Sequence, residues 1–194
     1  RLSLVGSEMC IRDRYCYNYY TPNHYPTGCV ATAMAQLMRY HEYPTAGIGR
    51  TLQSFSINYS PTSAYTLGGD GWGGAYNWDQ MPLDPNSGIT LAQRQAIGAL
   101  CYDAGICAGT NYTPSASGAS TYDARDALVD VFDYSNGVYA SFNNNNINPG
   151  LYHMANANLD AALPVMLSID GPYGGHAVLI DGYCLLYTSD AADE

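Results

Sequence analysis

The chain has 194 residues, enough for one domain with a core of its own. Hydrophobic residues make up 47% of it and charged residues only 12%, with no Lys and a formal net charge of −10. A surface so poor in cations argues against nucleic acid as a partner, and no apolar run reaches the roughly 18 residues of a membrane span.

Taken in chain order, residues 1–14 (RLSLVGSEMCIRDR) carry three of the seven basic residues and form no recognisable element. Together with 184–194 (CLLYTSDAADE) they read as translated sequencing-adapter sequence. The expectation is therefore a single domain over 15–183 with a non-native segment on each side. The N-terminus also lacks the basic-then-apolar pattern of a signal peptide. Pro26, Thr27 and Gly28 are turn residues, and the stretch after them is rich in Ala, Met and Leu. A helix is predicted from Cys29 to about residue 41, too uniformly apolar for a surface position, and it stops before Tyr43-Pro44.

Between 50 and 59, Phe55, Ile57 and Tyr59 alternate as in a half-buried strand. A Gly- and aromatic-rich loop, GGDGWGGAYNWDQMP, covers 68–82. Thr90 caps a second helix with Leu91, Ile97, Leu100 and Cys101 on its apolar side and Gly105 as its stop. Residues 111–120 (NYTPSASGAS) read as a flexible loop. A third helix starts near Thr121 and uses Leu128, Val131 and Phe132. After four consecutive Asn (143–146), a short helix at 159–163 leads into two apolar strands, 164–169 and 176–183, joined by GPYGG. Helices first and strands late make the class α+β. Nineteen Tyr and twenty Gly add a loop-rich, weakly charged surface of the kind that suits extracellular proteins.

Of six Cys, Cys10 and Cys184 fall in the end segments. The other four do not make a convincing disulfide framework, and Cys101 and Cys107, six apart, lack metal-ligand spacing with nearby His. No metal and no cofactor is expected.

Cys29 stands where loop becomes helix. The first N–H groups of a helix lack intrahelical partners, and the macrodipole puts partial positive charge there, so a thiolate is stabilised and reactive. Gly28 removes a side chain where a substrate backbone would approach, and the Cys29 N–H could help hold an oxyanion. Alone, such a Cys is more often a buried small hydrophobe. A base decides the matter. His24 lies in the turn before Cys29, His41 at the far end of the helix, and His153 in a polar loop. His176 differs, because it follows Gly174-Gly175 and opens the strand HAVLIDGY, exposed to a cleft and held from below. It lies 147 positions after Cys29, within the Cys-to-His separation of about 130–150 found in papain-type enzymes.

TGCVATAMAQLMRYH and GGHAVLIDGY, with YNWDQMP, AIGALCYDAGI and YTPSASGAS between them in order, resemble the streptopain family of secreted bacterial cysteine peptidases (peptidase family C10, papain-like clan). The resemblance runs from about Tyr15 to Tyr183. It implies a papain-like α+β fold, with a central buried helix carrying the Cys and an antiparallel sheet carrying the His. It implies Cys29 as nucleophile, His176 as general base and acid, and Gly28, Gly175 and the Ser117-Gly118 loop beside the substrate. Its partners would be protein or peptide substrates and a propeptide or inhibitor, on a secreted monomer. Asp181, five residues beyond His176, should face the other side of the strand and reads as structural or solvated; Asp70 and Asp79 are the remaining tempting carboxylates.

Two departures qualify that likeness. The family places an oxyanion-hole Gln shortly before the segment matched by Tyr15 to Asn18, and an Asn that orients the His shortly after HAVLIDGY. Neither is present at those places, nor are the final strands or a pro-segment. Losing oxyanion donors costs about 10²–10³ in rate, so the expectation is a fragment of a protease with little activity of its own. Two other readings remain. One is a Cys-His acyl-transfer enzyme on the same scaffold, an amidase or transglutaminase-like protein. The other is a non-catalytic secreted binding module in which Trp72, Tyr76 and Trp78 face glycans or protein.

Overall fold

The computed structural model describes residues 16–85, 88–140, 149–171 and 174–183. The end segments 1–14 and 184–194, the Asn run and the tip of the 171–175 hairpin lie outside them.

Helix α1, Cys29–His41, forms where the sequence predicts it. Val30, Ala31, Ala33, Met34, Ala35 and Met38 are buried, with Met34 and Met38 fully enclosed. This broad apolar face packs against two later helices and the C-terminal sheet, which makes α1 the central element. It stops at Glu42, whose left-handed backbone (φ 48°) returns its N–H to Arg39 and Met38 carbonyls.

Strand β1, Leu52–Ile57, pairs antiparallel with β2, Ser60–Tyr65, in the register Phe55 opposite Thr62. The turn places Asn58 and Tyr59 at φ 49° and 64°, the geometry that matches strand twist in a two-residue hairpin. Tyr59, read as strand, is thus the turn, and β2 was not foreseen. Its residues are almost all exposed and include Pro61, so it carries no hydrophobic alternation and sits at the sheet edge.

Helix α2 is Leu91–Cys107. Thr90 Oγ1 accepts from the Gln93 N–H at 3.2 Å, and Gln93 Oε1 accepts from the Thr90 N–H at 2.8 Å, a reciprocal capping box. Thr90→Ala should therefore cost about 1 kcal/mol, read as a lowered thermal midpoint; an unchanged midpoint would show the cap to be idle. Gly105 does not end this helix. It lies buried within it because a Cβ there would sit 2.0 Å from the Tyr112 hydroxyl, so packing rather than termination selects the glycine.

Residues 111–120 are likewise more ordered than expected. Strand β3, Asn111–Tyr112, runs parallel to β1, and Asn111 bridges back to Gly118. Helix α3, Thr121–Asp130, is capped by Ser120, whose Oγ accepts from the Tyr122 N–H at 3.1 Å. Ala124 and Ala127 are its buried residues, and Phe132, fully enclosed, fixes the chain just beyond its end. Helix α4 spans Pro149–Asp160, earlier and longer than the predicted 159–163, which puts His153 on a helix rather than in a loop. Strands β4, Val165–Gly171, and β5, Gly174–Ile180, form the antiparallel C-terminal pair. The α+β assignment holds.

Asp103 ties α2 to the glycine-rich loop. Its carboxylate is fully enclosed and accepts from the Leu67 and Gly68 N–H groups at 2.7 and 2.8 Å and from the Tyr76 hydroxyl at 2.7 Å. Burial pushes its carboxyl up to about 6, with those three donors pulling partly back. Tyr76 is consequently core, not a glycan-facing ring, and Trp78 is half-buried with its Nε1 donating to the Pro44 carbonyl at 3.3 Å. Only Trp72 of the three is exposed, and the Arg50 guanidinium stacks between it and Tyr65. Two of the three rings that the binding-module reading places at the surface are thus withdrawn from it.

Candidate active site

Cys29 is the first residue of α1, and its side chain is half-buried against the main core. Gly28 has no side chain with which to cap the first turn, so no cap closes off the N–H groups around the thiol. Its backbone (φ 89°, ψ 152°) lies in a region used almost only by glycine. A Cβ on Gly28 would meet the Ser117 carbonyl oxygen at 2.7 Å. The structure thus brings the Ser117 loop directly over the residue before the thiol.

Within that loop Ser117 is buried, and its Oγ accepts from the Thr113 N–H at 3.3 Å. Gly118 is exposed, and its N–H and carbonyl are both bonded to Asn111, at 3.3 and 2.9 Å. The loop is a braced shelf: the Ser117 and Thr113 side chains are turned to its own support, while Pro114, Ser115 and Ala116 are exposed.

His176 is the third residue of β5, after Gly174 (φ 114°) and Gly175, so the strand begins earlier than its sequence suggests, and it pairs across the ladder with Ile169. It is exposed, whereas the next residue, Ala177, is buried in the same core against which Cys29 packs. Helix α1 and β5 are in direct contact, so the elements bearing Cys29 and His176 are neighbours. Among the described residues the two side chains share no hydrogen bond; in unliganded sites such bonds often tighten only around substrate.

The other candidates are placed elsewhere. His41 sits beside the Tyr40 and Tyr134 rings, and partial burial lowers its affinity for a proton. Cys16 and Cys101 are buried in the core, and burial pushes the Cys107 thiol far up, away from reactivity. Asp70 closes its own turn by accepting from the Gly74 and Trp72 N–H groups at 2.8 Å, which holds its carboxyl below the ordinary value. Asp79 lies on a short 3₁₀ turn, Trp78–Gln80, and Asp181 is exposed beyond the end of β5. Among the described residues no three His, Cys, Asp or Glu side chains are grouped to hold a metal ion.

One residue near the thiol went unnoticed in the sequence. Asn18, buried at 2% exposure, accepts two bonds of 2.8 Å from Thr27, one from its N–H and one from its hydroxyl. An isolated Asn among tyrosines offers no periodic signal, so only the folded loop reveals it.

The sequence profile of the Peptidase C10 family matches residues 12–192. The chain belongs to the peptidase C10 family. It is 32% identical over 170 residues to streptopain of Streptococcus pyogenes serotype M1, covering 82% of this chain and 40% of that protein. It is 27% identical over 159 residues to the thiol protease/hemagglutinin PrtT of Porphyromonas gingivalis, covering 81% of this chain and 18% of the relative. Its fold is similar to that of the active interpain A cysteine protease of Prevotella intermedia, with a TM-score of 0.68 and 26% identity over 82% of this chain and 66% of that one. The papain-like architecture expected for C10 is thereby established. The chain spans two fifths of the length of streptopain, and no helix among the described residues is long and apolar enough to cross a membrane.

Proposed function

We propose that this C10 chain is the core of a secreted cysteine endopeptidase in which Cys29 is the nucleophile and His176 the general base and acid. The observation that carries the reading is the half-exposed Cys29 thiol at the uncapped first turn of a buried helix, with the Ser117 carbonyl close against the preceding Gly28. A thiolate there attacks a peptide carbonyl; the C–N bond breaks as the His176 imidazolium gives its proton to the departing amine. Water activated by the same imidazole then hydrolyses the thioester and regenerates the thiol. The Cys29 N–H, at the positive end of α1, faces the developing oxyanion.

Gly28 and the shelf at Ser117 and Gly118 would border the acyl side of the substrate, with Gly175 opposite, on the β5 side. Since the Gly118 N–H is already bonded to Asn111, that residue offers a smooth backbone surface more than a donor. Protein or peptide substrates, a controlling propeptide or inhibitor, a monomeric state and secretion belong to the same proposal. Support for secretion comes from family membership and the weakly charged, Tyr-rich composition.

The test is covalent labelling by an epoxide inhibitor of papain-type enzymes, with Cys29→Ser as control and peptide mapping as readout. The expected result is one adduct on Cys29 and none in Cys29→Ser. Equal labelling of both proteins, or alkylation of Cys29 with the pH dependence of an ordinary thiol, would overturn the assignment. Cleavage of peptides, against transfer of the acyl group to added amines, separates a peptidase from an acyl transferase.

A further inference from the structure

Asn18 bonds with both its side chain and its backbone to the loop that leads into α1. Its carbonyl oxygen accepts from the Thr21 N–H at 3.3 Å, the Thr21 hydroxyl at 3.0 Å and His24 Nδ1 at 3.1 Å. Its side-chain Oδ1 accepts both donors of Thr27. The Thr21 hydroxyl also reaches the Tyr25 carbonyl at 2.6 Å. Ten residues are thus closed on one buried amide.

The closure holds backbone that would otherwise relax. Asn23 and His24 lie at φ 53° and 55°, left-handed conformations that non-glycine residues leave unless their surroundings fix them. Thr27 is itself buried, at 3% exposure, so both of its donors need an acceptor that water does not supply. The apolar anchors of α1 begin at Val30. They hold the helix without Asn18, whereas the turn at 26–28 is held by polar contacts: Thr27 to Asn18, the Gly28 carbonyl to the Thr32 N–H and hydroxyl at 3.0 and 2.8 Å, and the Ser117 carbonyl against Gly28.

We infer that Asn18 is a positioning residue for the nucleophile: its amide oxygen locks Thr27, and through Thr27 and Gly28 fixes where the Cys29 thiol stands relative to the first turn of α1. This rests on the cysteine-peptidase reading. The physical link is that helix-terminus stabilisation of an anion falls off within one turn, so a small displacement of the thiol forfeits it.

The test uses the full chain, with iodoacetamide as probe and peptide mapping of Cys29 at pH 6 and pH 9. In the unaltered protein the ratio of the two rates measures how far the site favours the thiolate. Asn18→Ala should lower that ratio about tenfold, the scale on which local fields tune cysteine. Thr27→Val, which keeps the N–H and loses the hydroxyl bond, should lower it several-fold, while Thr27→Ser should restore it. Lower thermal midpoints with unchanged ratios in Asn18→Ala and Thr27→Val would show Asn18 to be only structural and overturn the inference. Should Asn18→Ala fail to fold, the contrast of Thr27→Val with Thr27→Ser decides alone. An ordinary-thiol ratio in the unaltered chain removes the peptidase assignment itself, and positioning with it.

Discussion

Asp103→Ala is expected to destabilise the chain by about 3 kcal/mol at pH 7, because two backbone N–H groups and the Tyr76 hydroxyl lose their buried acceptor together. Measured by urea denaturation, the cost should depend on pH in a definite direction. The folded-state carboxyl is raised, to about 6, above its unfolded value. The folded protein therefore binds this proton more tightly than the unfolded chain does. That contribution to stability is fully present below about pH 4 and is lost as pH rises towards 6. Two units correspond to about 3 kcal/mol, so the difference between the unaltered protein and Asp103→Ala should be larger at pH 4 than at pH 7. A cost that shrinks on acidification would mean that hydrogen bonding, not burial, dominates this carboxylate. The consequence reaches the loop: without Asp103, residues 67 and 68 lose their attachment to α2, and the glycine-rich segment should become the first to open in hydrogen exchange.

Asp103 also shows why part of the fold was hidden in the sequence. Strong local signals were readable: α1 from its unbroken Ala, Met and Leu, the start of α2 from Thr90 as its cap, and the hairpin of β4 and β5 from two apolar runs. Features fixed by distant partners were not. Gly105 looked like a helix stop because its packing against Tyr112 is not a local property. Strand β2 was silent because an exposed edge strand has no buried face to produce alternation. Tyr76 looked like surface until Asp103 supplied the partner for its hydroxyl. At the site the same division holds. Cys29 and His176 stand out through flanking glycines and the helix start, whereas Asn18 acts through bonds to a residue nine positions away.

Gly28→Ala should be the most damaging single change at the mouth of α1. Two costs add. An alanine at φ 89°, ψ 152° is strained by about 1–3 kcal/mol. Its Cβ would also lie 2.7 Å from the Ser117 oxygen and 3.1 Å from the Ser117 carbonyl carbon, backbone atoms that cannot swing aside as a flexible side chain would. The Ser117 shelf is braced on the far side by Asn111 and Thr113, so the turn itself must yield. Movement of residue 28 carries the thiol with it and pulls against the Thr27 bonds to Asn18. The expected result is a loss of about 2–4 kcal/mol in stability, the usual scale for combined strain and overpacking, and labelling of Cys29 by the epoxide slowed by about 100-fold, as a misplacement near 1 Å produces. Gly118→Ala provides the contrast, since a Cβ there meets nothing within 4 Å; it should leave stability nearly unchanged. If Gly28→Ala were as mild as Gly118→Ala in denaturation and labelling, the close approach of the shelf to Gly28 would have no bearing on the reaction. The glycine would then be conformational convenience rather than the means by which a substrate strand and a thiol share one edge of the helix.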